Sequence, residues 1–382
     1  MKNKILIIGA GFTGAVVARE LAEKGYSVTV FEQRRHVAGN CHTERDPETG
    51  VMVHVHGPHI FHTDDEEVWS YVNKYADFAP YICQVKATTG GRVYSLPINL
   101  LTINQFFNRT FSPSEAQRFI EAISEPIEEV RSFKDQALKY LGRELYDAFF
   151  RGYPIKQWGL DPSVLPASIL KRLPVRFDYN DNYFNHKNQG IPKQGYTVLV
   201  ERILKHPNID LQLGRAFARS DAANFDHVFY TGPLDAWFNH AAGRLGYRTL
   251  RFEVSRHQGD YQGCAVMSYP EEHVPYTRIT EHKHFAPWET FDRTVVFHEY
   301  SSYCKPDDTP YYPIRLVEEK SVLSDYIELA KLEKNVSFMG RLATYRYLDM
   351  DVTIGEALRA AQEFISLDCQ GREAPVFFNQ PL

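Results

Sequence analysis

Lys4-Ile-Leu-Ile-Ile-Gly9-Ala-Gly11-Phe-Thr-Gly14, then a helical stretch to Lys24 and Ser27-Val-Thr-Val-Phe-Glu32, is the segment whose reading decides the fold. The run before Gly9 is short and apolar, as a strand buried on both faces requires. Three glycines then open a helix that Gly25 stops, and a second apolar run ends on an acid. Strand, glycines, helix, strand and acid in this order make a βαβ unit carrying the dinucleotide fingerprint in its required context. Gly9 permits the tight turn, Gly11 lets a pyrophosphate approach the backbone, and Gly14 lets helix and strand pack closely. The anion sits on the helix N-terminus, where free N–H groups point at it, beside Phe12 and Thr13. Glu32, with Gln33 next to it, is placed to accept from the ribose hydroxyls of an adenosine.

Past the acid the chain runs through Arg34-Arg35-His36-Val37-Ala38 into Gly39-Asn40, a basic turn and a further glycine. Flavoproteins of the glutathione-reductase type carry this continuation, with the backbone at the glycine running beside the cofactor's phosphates. It favours FAD over NAD. Next comes Val51-Met-Val-His-Val-His-Gly-Pro-His-Ile-Phe-His62, an alternating strand broken by a Gly-Pro turn. His54, His56, His59 and His62 invite a metal reading, but no carboxylate or cysteine cluster accompanies them. The segment reads as backbone laid against a ligand at His56 and Gly57, with a histidine near the cofactor and no metal site.

With 382 residues the chain has room for two or three domains with sizeable cores. A net charge of -5 gives no reason to invoke nucleic acid or a membrane surface as a partner. Five cysteines without a CxxC argue for a reducing, cytoplasmic compartment. The glycines interrupt the first apolar run, which argues against a secretory leader, and no stretch is long enough to span a membrane. Aromatic residues reach 14%, which reads equally as larger cores or as a site lined with rings and hydroxyls.

Residues 81–98 read as a hairpin about Gly90-Gly91, and 100–150 as mostly helical, with Ser112 a cap and Pro113 at the first helical position. From Gly152 to Arg176 the chain is punctuated by Pro154, Pro162, Pro166 and Pro174 and cannot be one long helix. This is where a mobile binding loop is expected. Residues 246–300 alternate in strand fashion, and a helix from Thr353 to Phe364 directs its positive end at the loop before it.

Collinear motifs along the whole chain resemble the bacterial UDP-galactopyranose mutase family. They are Gly57-Pro-His-Ile-Phe-His-Thr63, Tyr153 with Lys156-Gln-Trp158-Gly, Leu170-Lys-Arg172-Leu-Pro-Val-Arg-Phe, Val274-Pro-Tyr-Thr-Arg278-Ile-Thr-Glu-His-Lys, Tyr311-Tyr312-Pro-Ile-Arg, and Gly340-Arg followed by Tyr345-Arg-Tyr347-Leu-Asp-Met-Asp351. The resemblance implies an α/β fold: a Rossmann-like FAD-binding domain, an inserted α-helical domain used for homodimerisation, and an antiparallel six-stranded sheet domain. The boundaries expected are 1–80, 191–242 and 321–382 for the FAD domain, 81–100 and 243–320 for the sheet domain, 101–172 for the helical domain with its substrate loop, and 173–190 for a substrate segment.

The activity implied is interconversion of UDP-galactopyranose and UDP-galactofuranose without net redox change, supplying galactofuranose for surface glycans. By the same resemblance N5 of reduced FAD is the nucleophile that displaces UDP. Arg172 and Arg278 straddle the diphosphate, and His59 lies near the flavin and the sugar. Phe149 and Tyr153 stack on uracil, Trp158 lies near the sugar, and Tyr183, Tyr312 and Tyr347 donate hydroxyls. Arg341, Asp349 and Met350 hold the cofactor. One departure is Cys83, where the resemblance leads one to expect asparagine; it puts in doubt galactose against an N-acetylated relative. An amine-oxidase-like flavoprotein is the competing reading. Paired arginines and many tyrosines suit a nucleotide diphosphate better than an amine.

Overall fold

Continuous burial in the strand Lys4–Ile8 is where the fold starts: Ile5 and Ile7 face one side and Leu6 the other, and none is exposed. The computed structural model describes residues 3–167, 175–314 and 317–381. Ile5 and Ile7 enter a core with Val16, Leu21, Leu199 and Leu358, and Leu6 packs in a second core with Trp237, Leu323 and Tyr326. A strand covered on both faces belongs to a parallel sheet. Five parallel strands lie in the order Ile209–Leu213, Ser27–Glu32, Lys4–Ile8, His227–Tyr230, Val336–Phe338. The order reverses beside Lys4–Ile8, and ligands of such sheets bind in the crevice this opens at the strands' carboxyl ends. Helices Phe12–Glu23, Gly195–Leu204 and Met350–Cys369 pack together on the Ile5 and Ile7 side.

The second sheet has seven strands, in the order Tyr312–Pro313, Tyr247–Gln258, Arg293–Tyr303, Arg278–Glu281, Val266–Ser268, Val85–Thr89, Arg92–Leu96. The expected six become seven through the short edge strand Tyr312–Pro313, and the Val266–Ser268 and Val85–Thr89 pair runs parallel in an otherwise antiparallel sheet. Between Leu96 and Trp158 the chain is helical: Leu100–Phe107, Pro113–Ile123, Phe133–Leu145, a π-helical turn Tyr146–Phe150, and Gly152–Trp158. Ser112 caps as expected, its N–H and hydroxyl both donating to Glu115. The π-turn widens the backbone just where Phe149 and Phe150 must turn, and such turns cluster at functional sites. The last helix begins at Met350, three residues before the expected Thr353, with Asp349 at its N-cap position. No helix among the described residues is long and apolar enough to cross a membrane.

Candidate active site

The glycine loop shows why each glycine is needed. Gly9 has φ +101°, and a Cβ there would lie 2.2 Å from Thr231 Oγ1. A Cβ on Gly14 would lie 2.0 Å from the Gly9 carbonyl oxygen, so this residue packs helix on strand and faces no ligand. At Gly11 a Cβ would meet nothing, because that position opens into a cavity of about 1510 Å³. Glu32 lies on the same wall, held rigidly: its carboxylate accepts from the N–H groups of Ala10 and Arg34, each at 2.9 Å.

The cavity exceeds the roughly 300–1,000 Å³ of a single small-molecule pocket. From Gly9, Gly11, Phe12, Thr13, Glu32 and Gln33 it passes Gly39, Asn40, His56, Gly57 and His59 to Arg341, Asp349 and Met350. It continues without a break to Phe149, Tyr153, Trp158, Tyr183, Arg278, Tyr312 and Tyr347. Of the residues expected at the site from sequence, Gly14 packs behind the wall and Arg172 lies outside the described residues. The four histidines are dispersed. His54 is in the core, where its Nδ1 accepts from His59 N–H, and the Nδ1 of His62 meets that of His186 at 2.9 Å.

Along the cofactor half, three buried nitrogens have no partner among the described residues: Arg34 Nη1, His56 Nε2 and Arg341 Nε. All three residues line the cavity, and each is held through another of its polar atoms. Arg34 Nη2 donates to Asn40, His56 Nδ1 meets the Tyr311 hydroxyl at 2.7 Å, and Arg341 Nη2 donates to the Tyr311 carbonyl. Buried polar groups left unpaired are costly, so this wall is built to be completed by a ligand. Two guanidinium donors and an imidazole nitrogen beside an open glycine loop and a helix N-terminus fit the diphosphate and polar ring edge of a dinucleotide.

At the other end Arg278 Nε donates to Glu299 Oε2 at 2.7 Å. Burial works against the Arg278 charge, but Glu299 outweighs it and the guanidinium is held well above its usual pKa. Burial pushes the Tyr153 hydroxyl up to about 12 and raises Tyr183 and Tyr312 further, so all three are protonated donors at neutral pH. Tyr312 and Tyr347 stack with centroids 5.6 Å apart, and the Arg341 guanidinium lies 4.5 Å from the Tyr347 centroid. Phe149 is mostly core, edge-on to Tyr94 at 5.3 Å, and shows the cavity only part of its ring. His59 Nδ1 donates to the Gly57 carbonyl at 2.7 Å, and burial holds its pKa at about 4.

Sequence reasoning missed Arg34, Tyr311 and Glu299. The basic turn after Glu32 was a signal for Arg34, and Tyr311 sits in a quoted motif; Glu299 had none.

A Rossmann-like sheet whose cavity joins a dinucleotide cradle to a cationic, tyrosine-lined chamber defines an enzyme that brings a nucleotide cofactor and a phosphorylated substrate into one space. A family model described as UDP-galactopyranose mutase matches residues 148–347, and one for an NAD(P)-binding Rossmann-like domain matches 7–75. A probable UDP-galactopyranose mutase of Klebsiella pneumoniae is 59% identical over 99% of both chains. A dTDP-fucopyranose mutase of Escherichia coli is 52% identical over 95% of this chain and 98% of its own. A crystal structure of reduced UDP-galactopyranose mutase shares the fold, with a TM-score of 0.74 at 17% identity over 99% of each chain. The chain belongs to the UDP-galactopyranose mutase family, a family of isomerases.

Proposed function

We propose that the protein interconverts UDP-galactopyranose and UDP-galactofuranose using reduced FAD, without net oxidation or reduction. The observation that carries this reading is the unbroken cavity from Gly11 to Arg278, which lets the reactive end of a bound dinucleotide meet a nucleotide sugar. Reduced FAD, when bound, would supply the nucleophile for displacement of UDP at the anomeric carbon. The protein's own residues prepare that displacement. Arg278, kept charged by Glu299, stabilises the diphosphate as it leaves, and the hydroxyls of Tyr153, Tyr183, Tyr312 and Tyr347 donate to it or orient it. Arg172 is assigned the opposite side of the diphosphate. Phe149, Tyr153 and Trp158 form the aromatic seat for uracil and sugar, and His59 offers Nε2 as an acceptor near the flavin. Gly9, Gly11, Phe12, Thr13, Gly14, Glu32, Gln33, Gly39, Asn40, His56, Gly57, Arg341, Asp349 and Met350 are assigned to the cofactor; Gly14 acts through packing.

The domain division given above goes with this reading, as do a cytoplasmic homodimer and a product used for surface glycans. Five unpaired cysteines support a reducing compartment. A second reading of the sugar is favoured by the wall around Cys83. With Ile60, Val85 and Val266 it forms an apolar patch of the cavity that suits a methyl group better than a hydroxyl, as in a 6-deoxyhexose. Chromatography of UDP-galactofuranose and dTDP-fucofuranose, each incubated with the reduced protein, tests both readings. Conversion of the first supports the principal reading; conversion of the second alone replaces it.

A further inference from the structure

The helix Gly152–Trp158 presents Tyr153 and Trp158 to the cavity, yet it has only seven residues. Helices this short do not hold themselves together in water, so its position must come from elsewhere. Lys156, on the same helix, is not part of the cavity lining. Its Nζ donates to the carbonyl oxygens of Glu271 at 2.9 Å and of Val274 and Tyr276 at 3.0 Å, and also to that of Tyr269. An ammonium has three N–H groups, so four carbonyls share it much as they would share a bound cation. Those carbonyls belong to the loop 269–276, which runs through Thr277 directly into Arg278 and carries Pro270 and Pro275, residues that donate no backbone hydrogen bond.

The joint is close on both sides. A Cβ on Gly152 would lie 2.2 Å from the Pro270 carbonyl oxygen, so helix and loop touch backbone to backbone. At the helix C-terminus the buried Arg248 donates from Nε to the Gln157 carbonyl at 2.9 Å.

We propose that Lys156 is a positioning residue: its ammonium fixes the helix bearing Tyr153 and Trp158 against the loop leading to Arg278, and so sets nucleotide affinity without touching the nucleotide. The inference rests on the nucleotide-sugar reading above. It assigns the lysine to the joint between the helix that carries the aromatic seat and the loop that leads to the arginine.

The test is UDP binding to the flavin-loaded protein, followed by tryptophan fluorescence, in the wild type, Lys156→Met and Gly152→Ala. Misplacement of binding groups by about 1 Å costs up to roughly a hundredfold, so each variant is expected to weaken UDP roughly ten- to a hundredfold. Flavin content should match the wild type, and KM should rise far more than kcat falls. Gly152→Ala keeps the ammonium and pushes the loop away, so it tests the same joint if Lys156→Met folds poorly. In an Arg278→Ala background, Lys156→Met should add little, since the partner being positioned is gone. A Lys156→Met protein with full flavin and UDP affinity within about twofold of the wild type, the range of neutral substitutions, overturns the assignment and leaves the nucleotide-sugar reading standing. A wild type that does not bind UDP overturns both.

Discussion

Arg278 and Glu299 are cross-strand partners in the second sheet, joined by a 2.7 Å ion pair whose carboxylate is only 1% exposed. The strand register places the pair so that the guanidinium stays charged on a residue that lines the cavity. A buried carboxylate stripped of its partner is expensive, whereas a neutral amide is not.

Arg278→Ala is therefore expected to lose activity and stability together. Loss of a main electrostatic contact predicts a fall in kcat of roughly 10²–10³. The unpaired Glu299 predicts about 3 kcal/mol of destabilisation in a denaturant titration. Adding Glu299→Gln should recover most of the stability and none of the turnover. Parallel recovery of both would show that the arginine acts only through folding.

His59 is neutral in this geometry, because its Nδ1–H is donated to the Gly57 carbonyl and burial holds its pKa at about 4. Nitrogen NMR of labelled imidazole should show the Nδ1–H tautomer down to about pH 5, with Nε2 unprotonated. An imidazolium at pH 7 would contradict the proposed acceptor role.

Acid should weaken the fold before its carboxylates titrate. Burial lowers His56 and His282 to about 3 and His227 to about 4, and depresses His54 strongly. His54 and His282 each accept a backbone N–H at Nδ1, from His59 and His54 respectively, and protonation destroys those bonds. Since these groups titrate near 6.5 when unfolded, the unfolded chain binds more protons from about pH 6.5 downwards, and stability falls as pH drops through that window. The slope is about 1.4 kcal/mol per pH unit for each such proton. A melting temperature constant between pH 7 and 5 would contradict it.

Cys83→Asn places an amide on the apolar wall of the chamber. One new hydrogen bond is worth about 0.5–1.5 kcal/mol, so kcat/KM for the galactose nucleotide relative to its 6-deoxy analogue should rise by up to roughly tenfold. An unchanged ratio would place the sugar away from this wall.

Sequence was most informative where chemistry is local. Gly14 has its steric reason within one βαβ unit, whereas Gly9 is crowded by Thr231 from a later part of the chain and Gly11 faces the open cavity; the strand and helix positions follow from apolar spacing. The chamber was legible through motifs, which name Arg278, Tyr312 and Tyr347 but not what holds them. Glu299 lies far from Arg278 in the chain and becomes its partner only through strand register. Lys156 is explained by four carbonyls, and carbonyls have no sequence signature. Asp349 both lines the cavity and stands at the N-cap of the last helix, which starts at Met350, three residues before the Thr353 that apolar spacing marks.

The most direct test of the central claim is anaerobic chromatography of UDP-galactofuranose incubated with the flavin-loaded protein, oxidised in one vessel and reduced by dithionite in the other. Conversion to the pyranose is expected only in the reduced vessel, over many turnovers per flavin and with the flavin still reduced at the end. Turnover by the oxidised protein, or no conversion of this sugar by protein whose spectrum shows fully reduced flavin, would contradict it.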